Sequence, residues 1–447
     1  MEDRLSRTLA QLAAEHRVPG AQLVVVLEGE RHSVAYGVRD TATGAPVTRD
    51  TAFPVGSLTK PFTAALAMML VADGDVDLDE PMRDQLPEFG AGRLVTLRQL
   101  LSHTSGLPSD LPEGSERTTD RARWVARHGR EADLAHRPGT VFSYSNVGYL
   151  VAGRLVEEVT GMDWREALEA VLLDPFGRRP GYVTGPDRGE RTVALGHAVQ
   201  AARDRVVPIP EQDLPEVEMP NGSLALSAED LAAFAELYFA GCRDPRPLGR
   251  ATADDMCFDQ LAAVRIGPYG MADGWGLGWA RYEDGPADDV YGHDGTGDGT
   301  SCHLRFDPVC GNAVALTANG SAGAALWQAL GPRLRELGLP VGDRPEPGPP
   351  AAGEFRAPDG CLGHYANGDT EFAVVRGADG GLLLSFGGQP HAELLCRPDL
   401  RFVMRELGGG ARSPGRFVTD QDTGRIGHLQ ITGRLAARIK DEGGPAA

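Results

Sequence analysis

Hydrophobic and polar positions change their period several times along the chain. Over residues 3–17, apolar residues recur three and four positions apart, which predicts an amphipathic helix that ends at a Pro-Gly pair. Two β-rich runs follow at 21–27 and 32–38, and the Glu-Gly-Glu-Arg segment between them predicts a hairpin. An Ala- and Met-rich run at 63–71 then has the length and composition of a helix.

Helical patterns continue through the middle of the chain, and β-rich patterns return in its second half. Residues 178–220 are rich in Pro, Gly and charge and are predicted to be mostly loop. Further helices are predicted at 96–101, 147–159, 231–239 and 322–337. Further β-rich runs lie at 274–279, 290–297, 302–306 and 313–317. This order predicts an α+β fold, with one antiparallel sheet built from both chain ends around an all-helical subdomain.

The last quarter of the chain has a different composition. Six prolines lie between residues 338 and 358, which predicts an interdomain linker at 339–358 between a first domain at 1–338 and a second at 359–447. Short runs of β-forming residues follow at 371–376, 382–386, 392–396, 402–406, 415–419, 428–431 and 435–439. Strands this short and closely spaced predict a small antiparallel β-barrel.

Ser57 stands where the helix after the first hairpin begins. Lys60 lies three residues on, so one helical turn places both side chains on the same face. A serine hydroxyl needs a neighbouring base to act as a nucleophile, and a lysine held in its neutral form can serve. Of the 44 basic residues, only Lys60 and Lys440 are lysines. Because arginine keeps its proton in proteins, the retention of lysine at position 60 favours a role as base.

Net charge narrows the range of partners. The chain carries 63 acidic and 44 basic residues, a net charge of −19, which disfavours nucleic acid and anionic membranes as partners. No apolar run approaches the length of a membrane span, and the N-terminal segment has no apolar signal core, so we expect a cytoplasmic protein. The six cysteines are scattered without a C-x-x-C pair, so we expect no metal site.

Three short motifs occur in a recognisable order. They are S-L-T-K at 57–60, Y-S-N at 144–146 and H-D-G at 293–295. This order resembles the serine β-lactamase and penicillin-binding-protein superfamily, in its class C and D-alanyl-D-alanine carboxypeptidase branch. Secondary segments similar to that branch are L-L-S-H-T-S-G-L at 100–107, N-G-S-L at 221–224, S-A-E-D-L at 227–231 and G-L-G-W at 276–279. The resemblance covers about residues 8–338, and the C-terminal part resembles a lipocalin-like barrel attached to some members.

The resemblance implies a set of catalytic residues. Ser57 would attack an acyl carbon and become an ester. Lys60 and Tyr144 are both candidates for the base that takes the serine proton. His293 stands where many relatives carry lysine, and it would relay a proton to Tyr144 or donate a hydrogen bond. At neutral pH this histidine offers less positive charge than lysine does.

The resemblance also implies residues that bind the substrate. Asn146 would hydrogen-bond Lys60 or a substrate amide. The backbone N–H groups of Ser57 and Thr296 would form an oxyanion hole. Gly295 would let its strand approach the substrate backbone closely. The mechanism implied by the family requires no cofactor and no metal.

Within the superfamily, the combination of a predicted cytoplasmic location and a C-terminal barrel is most similar to the penicillin-binding-protein-type thioesterases. Their activity implies a peptidyl thioester on the phosphopantetheine arm of a carrier protein, transfer to Ser57, and head-to-tail cyclisation with a D-configured C-terminal residue. The alternative is a cytoplasmic serine hydrolase: a D-stereospecific peptidase or amidase, a carboxylesterase, or a β-lactamase-like enzyme. Two non-enzymatic hypotheses are also compatible with the sequence: the protein could be an acyl-binding sensor, or its barrel could carry a ligand.

The last predicted strand carries Arg434 and Arg438, whose even spacing places them on one face of the strand. Both could simply be solvated. A ring-closing enzyme must hold the incoming amine and limit attack by water, so a tethered barrel that reaches the cleft would be useful. On that view Arg434, beside the conformationally permissive Gly433, contacts the peptide backbone.

Overall fold

The computed structural model describes residues 1–185, 188–200, 205–210, 212–242, 246–283, 289–339, 341–342, 357–358, 360–378, 380–407 and 412–440. The predicted linker at 339–358 therefore lies largely outside the described residues. Within the described part of the chain, no helix is both long and apolar enough to cross a membrane.

The first part of the chain alternates short strands with helices. The strands are β1 (Gly20–Leu27), β2 (Glu30–Asp40), β3 (Ala45–Pro46), β4 (Phe53–Pro54), β5 (Gly181–Tyr182), β6 (Gly196–Gln200), β7 (Arg205–Ile209), β8 (Leu224–Leu226), β9 (Gly274–Trp275), β10 (Ala280–Glu283), β11 (Asp289–Gly297), β12 (Thr300–Asp307) and β13 (Asn312–Ala318). The helices are α1 (Glu2–Glu15), α2 (Thr59–Asp73), α3 (Leu97–Leu101), α4 (Arg121–His128), α5 (Asn146–Thr160), α6 (Trp164–Ala167), α7 (Met219–Gly222), α8 (Ala228–Glu236), α9 (Arg250–Cys257) and α10 (Gly323–Arg335).

The central sheet joins the two ends of this part of the chain. Its eight strands run in the order β3-β2-β1-β13-β12-β11-β10-β9, with antiparallel pairing between neighbours. The N-terminal hairpin pairs directly with β13, where Ala21 lies opposite Ala318. The predicted α+β fold, with one antiparallel sheet built from both chain ends and flanked by helices, is confirmed.

The sheet separates two apolar layers, and the alternation along β1 shows why. Leu23 and Val25 face the layer formed with α1 and α10. Val24 and Val26 face the larger core that contains α2, α5 and α8. Because successive side chains of a strand point to opposite faces, a strand covered on both sides is apolar throughout.

Helix α2 is the central helix of the larger core, and most of its residues are buried. It ends at Gly74, which adopts a left-handed conformation with φ +83° and caps the helix. A short 3-10 turn at Gly56–Leu58 precedes it. Ser57 therefore lies on the turn that enters α2, and Lys60 lies in the first turn of the helix itself.

The C-terminal part is a closed eight-stranded antiparallel barrel, so the predicted barrel is confirmed. Its strands are β14 (Gly363–Asn367), β15 (Thr370–Arg376), β16 (Leu382–Phe386), β17 (Gln389–Cys396), β18 (Arg401–Glu406), β19 (Arg412–Thr419), β20 (Ile426–Ile431) and β21 (Arg434–Lys440). The sequence pattern predicted seven of them and missed β14, which closes the barrel by pairing with β21.

The barrel docks against the first domain through backbone hydrogen bonds. The Tyr144 N–H donates to the Gly433 carbonyl at 3.0 Å, in the turn between β20 and β21. The Ser109 N–H donates to Asn367 Oδ1 at 2.6 Å, and the Leu435 N–H donates to Ser143 Oγ at 3.2 Å. These bonds join the barrel to the loop that carries the Y-S-N motif, so the barrel helps to position that motif.

One regional prediction missed several short elements. Residues 178–220, predicted to be mostly loop, contain β5, the hairpin of β6 and β7, and α7. The hairpin is fixed by tertiary contact, since the His197 N–H donates to the Gly299 carbonyl at 3.0 Å. Helices α4, α6 and α9 were also not predicted, because they are short and their apolar residues are few.

Candidate active site

The turn around Ser57 is shaped by a close approach of strand β11. Gly56 has φ +51°, and a Cβ added there would lie 2.1 Å from the Thr296 carbonyl oxygen. A Cβ added at Gly295 would lie 1.8 Å from the Val55 carbonyl oxygen. Because no side chain fits at either position, both glycines are needed for β11 to pass directly beside the nucleophile.

Lys60 is completely buried, and its amine lies 3.1 Å from Ser57 Oγ. Nζ also donates to the Asn221 carbonyl at 2.9 Å. No carboxylate of the described residues forms an ion pair with it. Burial and the nearby positive charge of Arg434 lower the pKa of Lys60 to about 7, although Glu218 and Asp110 oppose the shift. A neutral amine is therefore available near neutral pH, and its lone pair can accept the Ser57 proton.

The Tyr144 side chain closes the other side of Ser57. Its ring centre lies 5.1 Å from Lys60 Nζ and 5.1 Å from the Arg434 guanidinium carbon. The hydroxyl is buried, is close enough to Ser57 to interact with it, and has no described partner in regular hydrogen-bond geometry. Burial raises the pKa of Tyr144 well above its usual value. The phenol therefore stays neutral, which favours Lys60 as the base that activates Ser57.

His293 lies on β11 with its ring centre 6.1 Å from that of Tyr144. Its Nδ1 is 2.6 Å from the Asp294 carbonyl oxygen, which can only accept a hydrogen bond, so Nδ1 carries the proton. Burial and the charge of Lys60 lower the pKa of His293 to about 3. The ring is therefore neutral, and its buried Nε2, which has no described partner, is an acceptor. This geometry supports proton relay and disfavours donation of a hydrogen bond by Nε2.

Strand β11 presents a free edge beside Ser57. Its pairing with β10 stops at Gly292, while its pairing with β12 continues to Gly297. No described strand covers the first edge from His293 onward, and this stretch contains Gly295 and Thr296. An uncovered edge offers backbone N–H and C=O groups to an extended peptide. Thr296, which the family resemblance assigns as the second oxyanion-hole donor, lies on this edge, and the Ser57 N–H lies in the 3-10 turn that leads into α2.

One of the hydrogen bonds expected for Asn146 is replaced by another in the structure. Its Nδ2 donates to Asp110 Oδ1 at 2.8 Å, and the carbonyl partner of Lys60 is Asn221 instead. A hydrogen bond between Asn146 and Lys60 is therefore not formed. The Asp110 carboxylate also approaches Arg434, with Oδ2 3.9 Å from Nε. Asn146, Asp110 and Arg434 together form a polar group beside the Tyr144 ring.

The two arginines of β21 have separate environments. Arg434 is partly exposed and lies over the Tyr144 ring. Arg438 donates to the Gly360 carbonyl at 2.6 Å and to the Leu362 carbonyl, at the far end of the barrel. The structure thus places Arg434 in the cleft, while Arg438 is bound to the barrel's own backbone.

Several residues of the site carried no recognisable chemical signal. Asp110 follows the loop at 100–107, which was noted only as a family segment, and Asn221 contributes a backbone carbonyl that any residue could supply. His103, in the L-L-S-H-T-S-G-L segment, lies against the Tyr144 ring, with ring centres 4.3 Å apart. Its Nδ1 accepts the Ser145 N–H at 3.0 Å, so it supports the loop that carries the motif.

A double variant tests whether Tyr144 and His293 act as one unit. Tyr144→Phe and His293→Ala should each lower kcat/KM by about 10²-fold, as expected for loss of acid–base assistance. The double variant should lose about as much as the worse single variant, because members of one proton-transfer unit are not additive. Steady-state kinetics of the four proteins measure this coupling.

The matched control uses Tyr238, a buried tyrosine whose hydroxyl contacts Met256 in the core. Combining Tyr238→Phe with His293→Ala should give additive effects on the activation free energy. Full additivity for the pair of Tyr144 and His293 would show that the two residues work independently.

Comparison with known proteins places this geometry in a family. The family model described as Beta-lactamase matches residues 5–339. Penicillin-binding protein 4 of Amycolatopsis lactamdurans is 36% identical over 374 residues, which cover 78% of this chain and 96% of that protein.

Two solved structures match almost the whole chain, including the barrel. The crystal structure of SurE has a TM-score of 0.84 and 38% identity, covering 98% of this chain and 99% of its own. The crystal structure of SurE with D-Leu has a TM-score of 0.82 and 36% identity over the same shares. With its S-x-x-K, Y-x-N and H-x-G residues gathered in one cleft, this chain belongs to the beta-lactamase family of serine hydrolases and acyltransferases.

Proposed function

We propose that the protein is an acyl-serine enzyme that accepts a peptidyl thioester and releases the peptide as a head-to-tail macrolactam. The observation that carries the proposal is the position of the barrel. Its β20–β21 turn bonds to the Tyr144 backbone and places Arg434 over the Tyr144 ring. Ring closure requires an acyl-enzyme that is held in place and screened from water until an amine arrives. A second domain built into the cleft supplies such a wall.

The chemistry follows from the geometry of the cleft. Neutral Lys60 takes the proton of Ser57 Oγ, which attacks the thioester carbonyl carbon, and the backbone N–H groups of Ser57 and Thr296 stabilise the oxyanion. The C–S bond breaks, the thiolate takes the proton from Lys60, and the peptide stays on Ser57 as an ester.

The second half-reaction returns the enzyme to its starting state. Lys60, with Tyr144 and His293 as relay, takes a proton from the peptide's own α-amine as the amine attacks the ester carbonyl. An amide bond forms, the ester C–O bond breaks, and Ser57 Oγ regains the proton. The reaction needs neither an oxidant nor a metal.

Further support comes from the comparisons. The similarity to the SurE structures extends through the barrel, and one of those structures was solved with D-Leu. A relative crystallised with a D-amino acid agrees with the proposed D-configured C-terminal residue of the substrate. The proposal includes a carrier protein as donor of the thioester and a cytoplasmic location.

Hydrolysis is the second candidate. Ser57 is only partly buried, so water can reach the ester that forms on it. In that case the same acyl-enzyme would release a linear acid, as expected for a peptidase, amidase or esterase of this family.

The two candidates are separated by incubation with peptidyl thioesters that end in either a D- or an L-residue. We expect the D-terminated substrates to give mostly cyclic product, counted by mass spectrometry, and the L-terminated substrates to react slowly. Ser57→Ala serves as the blank for spontaneous thioester loss. Linear acid as the sole product from every substrate would reject the cyclase and retain the hydrolase.

A further inference from the structure

A small apolar cavity opens at the mouth of the barrel that faces the cleft. Its volume is about 140 Å³. Its walls are mainly the apolar side chains of Phe372, Leu384, Met404, Leu429 and Ile431. Ser109 and Asp110 of the first domain line it together with Thr370 and Arg434 of the barrel. This mouth cavity is therefore formed jointly by the two domains, whereas a cavity of a carrier barrel would be formed by the barrel alone.

The mouth cavity lies close to the nucleophile. Arg434 lines it and also lies over the Tyr144 ring, which is also a neighbour of Lys60, the residue that donates to Ser57 Oγ. One arginine and one tyrosine side chain thus separate the cavity from the acylated oxygen. The Tyr144 ring centre lies 5.1 Å from the Arg434 guanidinium carbon and 5.1 Å from Lys60 Nζ. An extended peptide advances roughly 3.5 Å per residue, so these two steps correspond to about two or three residues. A peptide bound to Ser57 can reach the cavity with a side chain near its C-terminal end.

The polar groups at the rim match the backbone of a peptide. The Arg434 guanidinium can donate to a carbonyl, and the Asp110 carboxylate can accept from an amide N–H. The Ser109 hydroxyl is buried, lines the same cavity and has no hydrogen-bond partner among the described residues. A buried hydroxyl without a partner is unfavourable, so a ligand that bonds to it would be stabilised.

The apolar walls and the volume of the mouth cavity indicate which kind of substrate side chain it can hold. A dry apolar cavity of about 150 Å³ can hold benzene, so this space fits a branched aliphatic or small aromatic side chain. A charged side chain would lose its hydration among the apolar walls, since the charged groups of the lining, Asp110 and Arg434, lie at the rim and face each other. The guanidinium of Arg434 and the carboxylate of Asp110 together match the carbonyl and the N–H of one internal residue, so an internal residue fits this rim.

We propose that the mouth cavity is a specificity subsite for an apolar side chain of the acyl donor, at an internal residue close to the acylated end. The inference depends on the proposed function only in requiring a peptidyl substrate. It concerns loading of Ser57, so it stands whether the ester is later cyclised or hydrolysed.

The test uses peptidyl thioesters with an alanine background, in which one leucine is moved through the three positions before the last residue. The single-turnover rate of Ser57 acylation is followed by intact-protein mass. We expect one position at which leucine speeds acylation over alanine by about tenfold to a hundredfold, the usual discrimination of an apolar pocket.

Two variants change the cavity in opposite directions. Thr370→Phe fills its rim and should reduce the preference for leucine to nearly onefold. Leu384→Ala enlarges it and should move the preference towards phenylalanine or tryptophan at the same position. Thr419→Phe, at the opposite mouth of the barrel, is the matched control and should leave the preference unchanged. Labelling of Ser57 by a small serine-directed probe should remain normal in all three proteins, which verifies an intact site.

Retention of the leucine preference in Thr370→Phe, with no shift in Leu384→Ala, would overturn the proposal. A side-chain preference confined to the N-terminal residue, and seen only in ring closure, would also overturn it. Failure of the proposed cyclase function has a different signature, namely a linear product with the acylation preference intact.

Discussion

Replacing Ser57 with alanine is expected to abolish turnover and to remove the covalent acyl adduct. Ser57 Oγ is the hydroxyl that lies 3.1 Å from a buried lysine amine with a pKa of about 7. Without it no ester can form, and only background thioester loss remains, so the rate should fall by about 10⁴-fold or more. Intact-protein mass after exposure to a serine-directed acylating probe measures the adduct directly.

An exposed serine on α1 supplies the control. Ser6→Ala should keep both the adduct and the rate, because Ser6 lies on the surface of the N-terminal helix. An adduct of unchanged mass and yield in Ser57→Ala would show that another residue is acylated and would reject the site described above.

Lys60→Arg is expected to be almost as damaging as Lys60→Ala, with a loss of about 10²-fold or more in the acylation rate. Arginine keeps the positive charge but does not release its proton, so it cannot act as the base. The matched control is Lys440→Arg, which changes the only other lysine of the chain and should leave the rate unchanged. A near-normal rate in Lys60→Arg would mean that position 60 contributes charge alone.

The pH profile gives an independent readout of Lys60. The reactive form is the neutral amine, so acylation should rise with pH, pass its midpoint near pH 7, and level off above it. Arg434→Ala removes a nearby positive charge that disfavours protonated Lys60, so the pKa of Lys60 and the midpoint should both move upward. Arg438→Ala should leave the midpoint in place, because Arg438 binds the barrel backbone. An unchanged or lower midpoint in Arg434→Ala would contradict this electrostatic coupling.

Local patterns predicted most of the secondary structure. The apolar stripe that predicted α1 depends on residues within four positions of one another. The β-rich runs that predicted the sheet and seven of the barrel strands are likewise stretches of a few consecutive residues. Interactions between residues so close in the sequence produce a local pattern, so they can be recognised without knowledge of the fold.

The order of the three motifs also follows from the sequence, and the pairing of Ser57 with Lys60 needs only one helical turn. What the sequence does not contain is the environment of these residues. Lys60 has a lowered pKa because it is buried and close to Arg434, which lies 374 positions away along the chain and reaches the cleft from another domain.

Tertiary structure alone decided the remaining features of the cleft. The Asn146 side chain donates a hydrogen bond to Asp110 and not to Lys60, because the loop after residue 107 packs beside the start of α5. The bond from Tyr144 to Gly433 and the neutral, accepting state of His293 arise where distant segments bury one another's polar groups. Such contacts depend on which surfaces pack together when the two domains associate. A local pattern of consecutive residues does not specify that packing, so these contacts could not be predicted from the sequence.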